Sequence, residues 1–128
     1  MDERPLDLAT LRTFSPLDGL KAENLAALAR KTTVRELDAG RVLSKQGDTD
    51  KRTFYLVRGR IELRSDDRVV GVVRAGTPEA RVALTPGLPR KFTARAADDC
   101  EYIMIDSDLL DVLLTWDQTG QYLSLIHI

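Results

Sequence analysis

Apolar residues recur at helical spacing near the start of the chain, alternate with polar ones through its middle, and return to helical spacing near the end. In SPLDGLKAENLAALAR, Leu17, Leu20, Leu25, Leu28 and Ala29 share one helical face. Ser15-Pro16 supplies a start signal, with serine as N-cap and proline at the first helical position, where its missing N–H costs nothing. Gly19 permits a break, so this stretch predicts a helix or a pair of short helical pieces, with Leu11 and Phe14 as further apolar anchors upstream.

From Thr32 the pattern changes to short β-rich runs separated by turn residues. Strands are predicted over 33–37, 41–45, 53–58, 60–64, 69–74, 91–96 and 100–105. The corners between them carry Gly40, Gly47-Asp48, Gly59, Asp66-Asp67, Gly76 and Asp98-Asp99. Seven or eight such strands indicate an antiparallel sandwich or barrel, most simply a jelly roll. Asp106 or Ser107 then caps a helix that places Leu109, Leu110, Leu113 and Trp116 on one face and stops at Gly120; Trp116 is expected to be a packing anchor. The expected organisation is one domain: a helical segment over 1–32, a barrel over 33–106 with a long loop at 76–96, and a closing helix over 107–122.

Composition narrows the function more than the fold. At 128 residues, 43% hydrophobic and 30% charged, the chain reads as a soluble domain with a real core, and no apolar run approaches the length that spans a bilayer. The opening MDERPLDLATLRTF has acidic residues and no continuous apolar stretch, so it does not read as a secretory signal; the expected location is the cytoplasm. A net charge of −1 argues against direct contact with nucleic acid, which needs a basic face. The single cysteine, Cys100, reads as a strand thiol, and no Cys/His cluster has metal-ligand spacing, so no metal and no cofactor is expected. Leu123–Ile128, LSLIHI, looks like the translation of a transposase adapter used in sequencing libraries. The chain is therefore expected to be a fragment that continues natively beyond Tyr122, and its only histidine, His127, falls in this tail. With no Ser-His or Cys-His arrangement elsewhere, catalysis is not expected.

The loop TPEARVALTPGLPRKFTARA raises the central question of chemistry. The order helix, jelly roll, embedded Pro-Arg loop, closing helix resembles the cyclic nucleotide-binding domain family over about Leu11 to Asp117. The glycine before the second strand looks like Gly40, the Gly-Asp corner like Gly47-Asp48, and the Tyr-x-Val-x-x-Gly hairpin like Tyr55-Leu56-Val57-Arg58-Gly59. The family's phosphate-binding cassette, commonly Phe-Gly-Glu-x-Ala-Leu followed by Pro-Arg-x-Ala-Thr-x-x-Ala, matches in its second half, Pro89-Arg90-Lys91-Phe92-Thr93-Ala94-Arg95-Ala96. In the first half Ala83-Leu84 fits, but Phe-Gly-Glu falls on Glu79-Ala80-Arg81, so an arginine stands where the resemblance implies a ribose-binding carboxylate.

What the resemblance implies is a sensor barrel with a degenerate cassette. Arg90, Thr93, Ala83 and Leu84 are the candidate ligand-binding residues, joined by Glu79 as a substitute ribose acceptor and by Arg81. Loss of the carboxylate predicts weakened recognition of cyclic AMP or cyclic GMP, and a paired Arg81 and Arg90 would suit a more anionic ligand such as a cyclic dinucleotide. Residue by residue the alternatives are plain: Arg90 bonds carbonyls at the barrel rim, Thr93 is a strand residue, and Glu79 pairs with Arg81 or Arg90. Lys45, Lys51, Arg52, Lys91 and Arg95 read as solvated faces. The functions left standing are a regulatory module of a bacterial signalling protein, a ligand-free scaffold that docks protein partners, and the sensor half of a catabolite-activator-type regulator whose DNA-binding domain would follow. A homodimer would form through the closing helix.

Overall fold

The computed structural model describes residues 4–119; the expectations on Gly120, Tyr122, His127 and the 123–128 tail lie outside the described residues. The chain runs β1 (Arg4–Pro5), α1 (Leu8–Leu11), a 3₁₀ turn (Leu17–Gly19), α2 (Ala22–Arg30), β2 (Thr33–Leu37), β3 (Val42–Ser44), β4 (Arg52–Arg58), β5 (Arg60–Ser65) and β6 (Arg68–Arg74). A second 3₁₀ turn (Pro78–Arg81), β7 (Thr93–Ala96), β8 (Cys100–Asp106) and α3 (Ser107–Thr119) complete it. All strand pairs are antiparallel, in two four-stranded sheets ordered β1-β2-β8-β4 and β3-β7-β5-β6. This is the jelly-roll arrangement that the strand pattern predicts, with flanking helices.

The first sheet is covered on both faces, which explains a run that does not alternate. In β4 the consecutive residues Phe54, Tyr55 and Leu56 are all buried. Phe54 and Leu56 point between the sheets with Ile61, Leu84, Ala94 and Ala96. Tyr55 points the other way, with Val34, Ile103 and Ile105, into a layer built by Leu11, Phe14, Leu17, Leu25, Leu28, Leu110 and Leu113. A strand inside two layers loses the period-2 signal because neither side meets water. Each fully buried leucine of the helical layer contributes about 2 kcal/mol of hydrophobic stabilisation.

Strands β4 and β5 are consecutive but lie in different sheets, and Gly59 makes the corner. Its φ is +96°, and a Cβ there would lie 2.7 Å from both the Asp99 carbonyl oxygen and Cys100 Sγ, so no other residue fits. At the edge of the second sheet, Leu63 pairs with Gly71 but Arg64 with Val69, which leaves Val70 as the extra residue of a bulge. The bulge breaks alternation, so Val69 and Val70 are both exposed, and it blunts an edge that would otherwise invite pairing.

Three local expectations change. Ser15 does not cap a helix: its N–H donates to the Arg81 carbonyl at 2.7 Å and its carbonyl accepts from the Tyr55 hydroxyl, while Pro16 precedes only the short 3₁₀ turn. Tertiary contacts have taken the serine that local propensity assigns to the helix. Residues 78–81, read as loop, form a 3₁₀ turn with proline at its start. Trp116 remains 38% exposed, and the packing stripe of α3 is instead Leu110 and Leu113 flanked by Leu109 and Leu114. Asp106 does cap α3, accepting from the N–H groups of Asp108 and Leu109 at 2.9 and 3.1 Å.

Candidate functional site

The loop between β6 and β7 is fixed at both ends by the backbone. After Arg74 the chain turns on Gly76, with the Thr77 hydroxyl donating to the Arg74 carbonyl at 2.6 Å. Pro78 opens the 3₁₀ turn, which buries Ala80. Leu84 is then held by its N–H on the Phe54 carbonyl at 2.8 Å and buries its side chain between the sheets. At the far end, the Arg90 N–H donates to the Asp48 carbonyl at 2.9 Å and the Arg90 carbonyl accepts from Gly47 at 2.7 Å. The Gly-Asp corner at the end of β3 is therefore the clamp that presents Arg90.

Its side chain points inward. Arg90 is 3% exposed, and its guanidinium meets protein acceptors on every side. Nε donates to Asp50 Oδ2 at 3.3 Å, Nη2 to Asp50 Oδ1 and the Arg52 carbonyl, and Nη1 to the Thr85 carbonyl at 2.8 Å. Its Cζ also lies 5.4 Å from the centre of the Phe54 ring. The Arg90 hydrogen bond is the leading cause that holds the Asp50 carboxyl below its ordinary value of 3.8. Arg90 thus combines the rim reading, with its two carbonyl bonds, with an ion pair to a partly exposed carboxylate that no local spacing reveals.

The other candidate residues are not gathered around it. Arg81 is largely exposed and pairs with Asp18 of the first 3₁₀ turn at 3.1 Å. It lines a cavity of about 510 Å³ with Thr10, Arg12, Thr13 and Phe14, whereas Arg90 lines a separate one of about 380 Å³ together with Ala83, Asp50, Ser107 and Asp111. Glu79 is exposed, and neither arginine's ion pair is with it. Thr93 opens β7, and its hydroxyl accepts from the Gln46 N–H at 2.9 Å, so it fastens the β3–β4 connection. The doubly cationic concavity read from the sequence is not assembled, because each arginine has its own acidic partner in a different part of the chain.

Asp50 and Asp18 are the residues that sequence reasoning missed. Asp50 precedes Lys51-Arg52 in a polar connection and lies 40 positions from Arg90, so no local spacing links them. Among the described residues two buried hydroxyl oxygens, Ser44 Oγ and Thr85 Oγ1, have no hydrogen-bond partner. Among the described residues no group of three or more His, Cys, Asp or Glu side chains is placed to hold a metal ion, and no helix is long and apolar enough to cross a membrane.

The resemblance can now be measured. The chain is similar to patatin-like phospholipase domain-containing protein 7 of Rattus norvegicus, at 26% identity over 92 residues, which is 67% of this chain and 7% of that protein. It spans only this small part of the curated relatives it matches. Among solved structures it is similar to a cyclic nucleotide-binding-like protein from Brucella abortus, with a TM-score of 0.65 and 25% identity over 85% of this chain and 97% of that one. It also shares its fold with the regulatory domain of Toxoplasma gondii PKA, solved with cAMP, at a TM-score of 0.70 and 19% identity over 83% of this chain and 42% of that one. The family model for the cyclic nucleotide-binding domain matches residues 34–115, from the first long strand through most of α3, and so the chain belongs to the cyclic nucleotide-binding domain family.

Proposed function

We propose that this domain is the regulatory barrel of a larger cytoplasmic bacterial signalling protein, with weakened or altered nucleotide recognition. The observation that carries this reading is the closed network around Arg90. A phosphate would have to displace Asp50 from a guanidinium whose other acceptors are fixed carbonyls. Where the family's pattern has its ribose acceptor this chain has Arg81, turned to Asp18 in a separate cavity, and the lost charge-assisted hydrogen bond is worth about 1.5–3 kcal/mol, or roughly one to two decades of affinity.

A route for transmission is built into the same network. The segment that supplies Asp50 and the Arg52 carbonyl also holds the start of α3: the Lys51 carbonyl accepts from the Ser107 N–H at 3.0 Å, and the Thr53 and Ser107 hydroxyls are 2.8 Å apart. The far end of α3 is tied to the helical layer by Asp117, which accepts from the Lys21 N–H and Asn24 Nδ2, both at 2.8 Å. A ligand that pulled Asp50 off Arg90 would act on α3 directly, the coupling a sensor needs.

Titration calorimetry with cyclic AMP, cyclic GMP and cyclic di-GMP tests the reading. The two mononucleotides are expected to bind no tighter than about 100 μM. Low-micromolar, saturable binding of cyclic AMP by the parent would overturn it. A second reading, a ligand-free scaffold for protein partners, is favoured by the fact that Arg90 is satisfied by protein groups alone. It requires that no nucleotide shift the melting temperature, and one reproducible shift returns the choice to the sensor.

A further inference from the structure

The geometry points to a second site, for a singly charged organic anion with an apolar body, at the seam between the N-terminal helical segment and the 3₁₀ turn Pro78–Arg81. The cavity of about 510 Å³ there shares no lining residue with that of Arg90, and its test reads Arg12, which the nucleotide reading does not use.

Arg12 and Arg81, with Thr10, Thr13 and Thr77, supply the polar part of the lining, and Phe14, Leu56 and Ala80 supply an apolar floor. Those three floor residues are 1–4% exposed, so the floor is part of the packed core. This mixture of an apolar floor and a few convergent polar groups, at this size, is that of a small-molecule site.

Charge sets the class of ligand. Arg81 is neutralised by Asp18 at 3.1 Å, whereas the guanidinium of Arg12 makes no ion pair or hydrogen bond among the described residues. Among the described residues the wall therefore carries one uncompensated positive charge, which a carboxylate or a phosphodiester balances and a phosphate dianion overshoots. The Thr77 hydroxyl has given its hydrogen to the Arg74 carbonyl, so its oxygen is available to accept from a donor on the ligand.

The position gives binding a mechanical effect. Arg12 caps the end of α1 and Arg81 ends the cassette turn, and the two segments are otherwise stitched together by the Ser15 N–H on the Arg81 carbonyl and by the Asp18–Arg81 pair. An anion bridging the two arginines adds a third stitch across this seam.

The test uses 4-phenylbutyrate as probe, acetate as the charged head alone and 4-phenylbutanol as the neutral body, titrated into the ¹⁵N-labelled chain. Saturable shifts are expected at the amides of residues 10–14 and 76–81, with acetate and the alcohol each at least about tenfold weaker. Arg12→Ala should lose about tenfold in affinity for the probe, while Lys91→Ala, at the far end of the loop and outside the cavity lining, should match the parent. Absence of saturable shifts, shifts centred on residues 83–90, or an Arg12→Ala variant that binds like the parent would each overturn the assignment.

Discussion

Replacing Arg90 by alanine strips the cation from Asp50 and takes a charged donor from the carbonyls of Arg52 and Thr85. The side chain of Arg90 is 2% exposed and that of Asp50 24%, so solvent screens the pair poorly. Losing these charge-assisted hydrogen bonds costs about 1.5–3 kcal/mol, to be read as a fall in unfolding free energy in urea. A loss below about 1 kcal/mol would mean that water reaches the network easily. Acidity supplies a second reading of the same pair. The folded-state pKa of Asp50 lies below its ordinary 3.8, so its contribution is fully present above that value and is lost as pH falls through the lower, folded value. Parent and Asp50→Asn should therefore differ most in stability well above pH 3.8 and converge below it, a comparison that denaturation at several pH values makes directly.

At the scale of elements, the corners rather than the strands hold the most sensitive positions. Gly59→Ala forces a side chain into a backbone conformation with φ +96° and into contact at 2.7 Å with Asp99 and Cys100, where backbone cannot yield cheaply. The expected cost is at least about 2 kcal/mol, whereas Gly19→Ala, where an added methyl meets nothing within 4 Å, should be close to neutral. Thermal melts of the two variants make the comparison. Most elements were legible from the chain alone: the strands at 33–37, 60–64 and 69–74 and the Asp106 cap appear where alternation and capping chemistry put them. What could not be read follows from tertiary contact. Two-residue β1 exists only by pairing with β2, and the four-residue α1 is too short to carry a periodic signal of its own. Ser15 was diverted to Arg81 and Tyr55, and Trp116 follows the helical period while sitting at the margin of the packed face.

For the molecule as a whole, the N-terminal helices and α3 belong to one hydrophobic layer with the outer face of the first sheet. Leu11, Leu17, Leu25 and Leu28 are each 0% exposed, and removing the chain before Thr32 would uncover Tyr55, Ile103 and Ile105 together. Such a truncation is expected to lose cooperative unfolding, observed by circular dichroism as a broad or absent transition. If the barrel melted sharply without the helices, they would be a separate unit. The candidate site was legible only in part on this scale. The Pro-Arg step and the charge change at Arg81 stand in the sequence, but Asp50 and Asp18, which decide what the two arginines do, are reached only through the folded chain. The lone thiol offers a practical consequence of the Gly59 corner. Cys100 is 3% exposed, burial raises its pKa, and its sulfur lies 3.2 Å from the carbonyls of Arg60 and Asp98. Alkylating reagents should therefore modify it only when the two sheets part at that junction, so the labelling rate becomes a clock for the opening of the barrel, with no engineered reporter required.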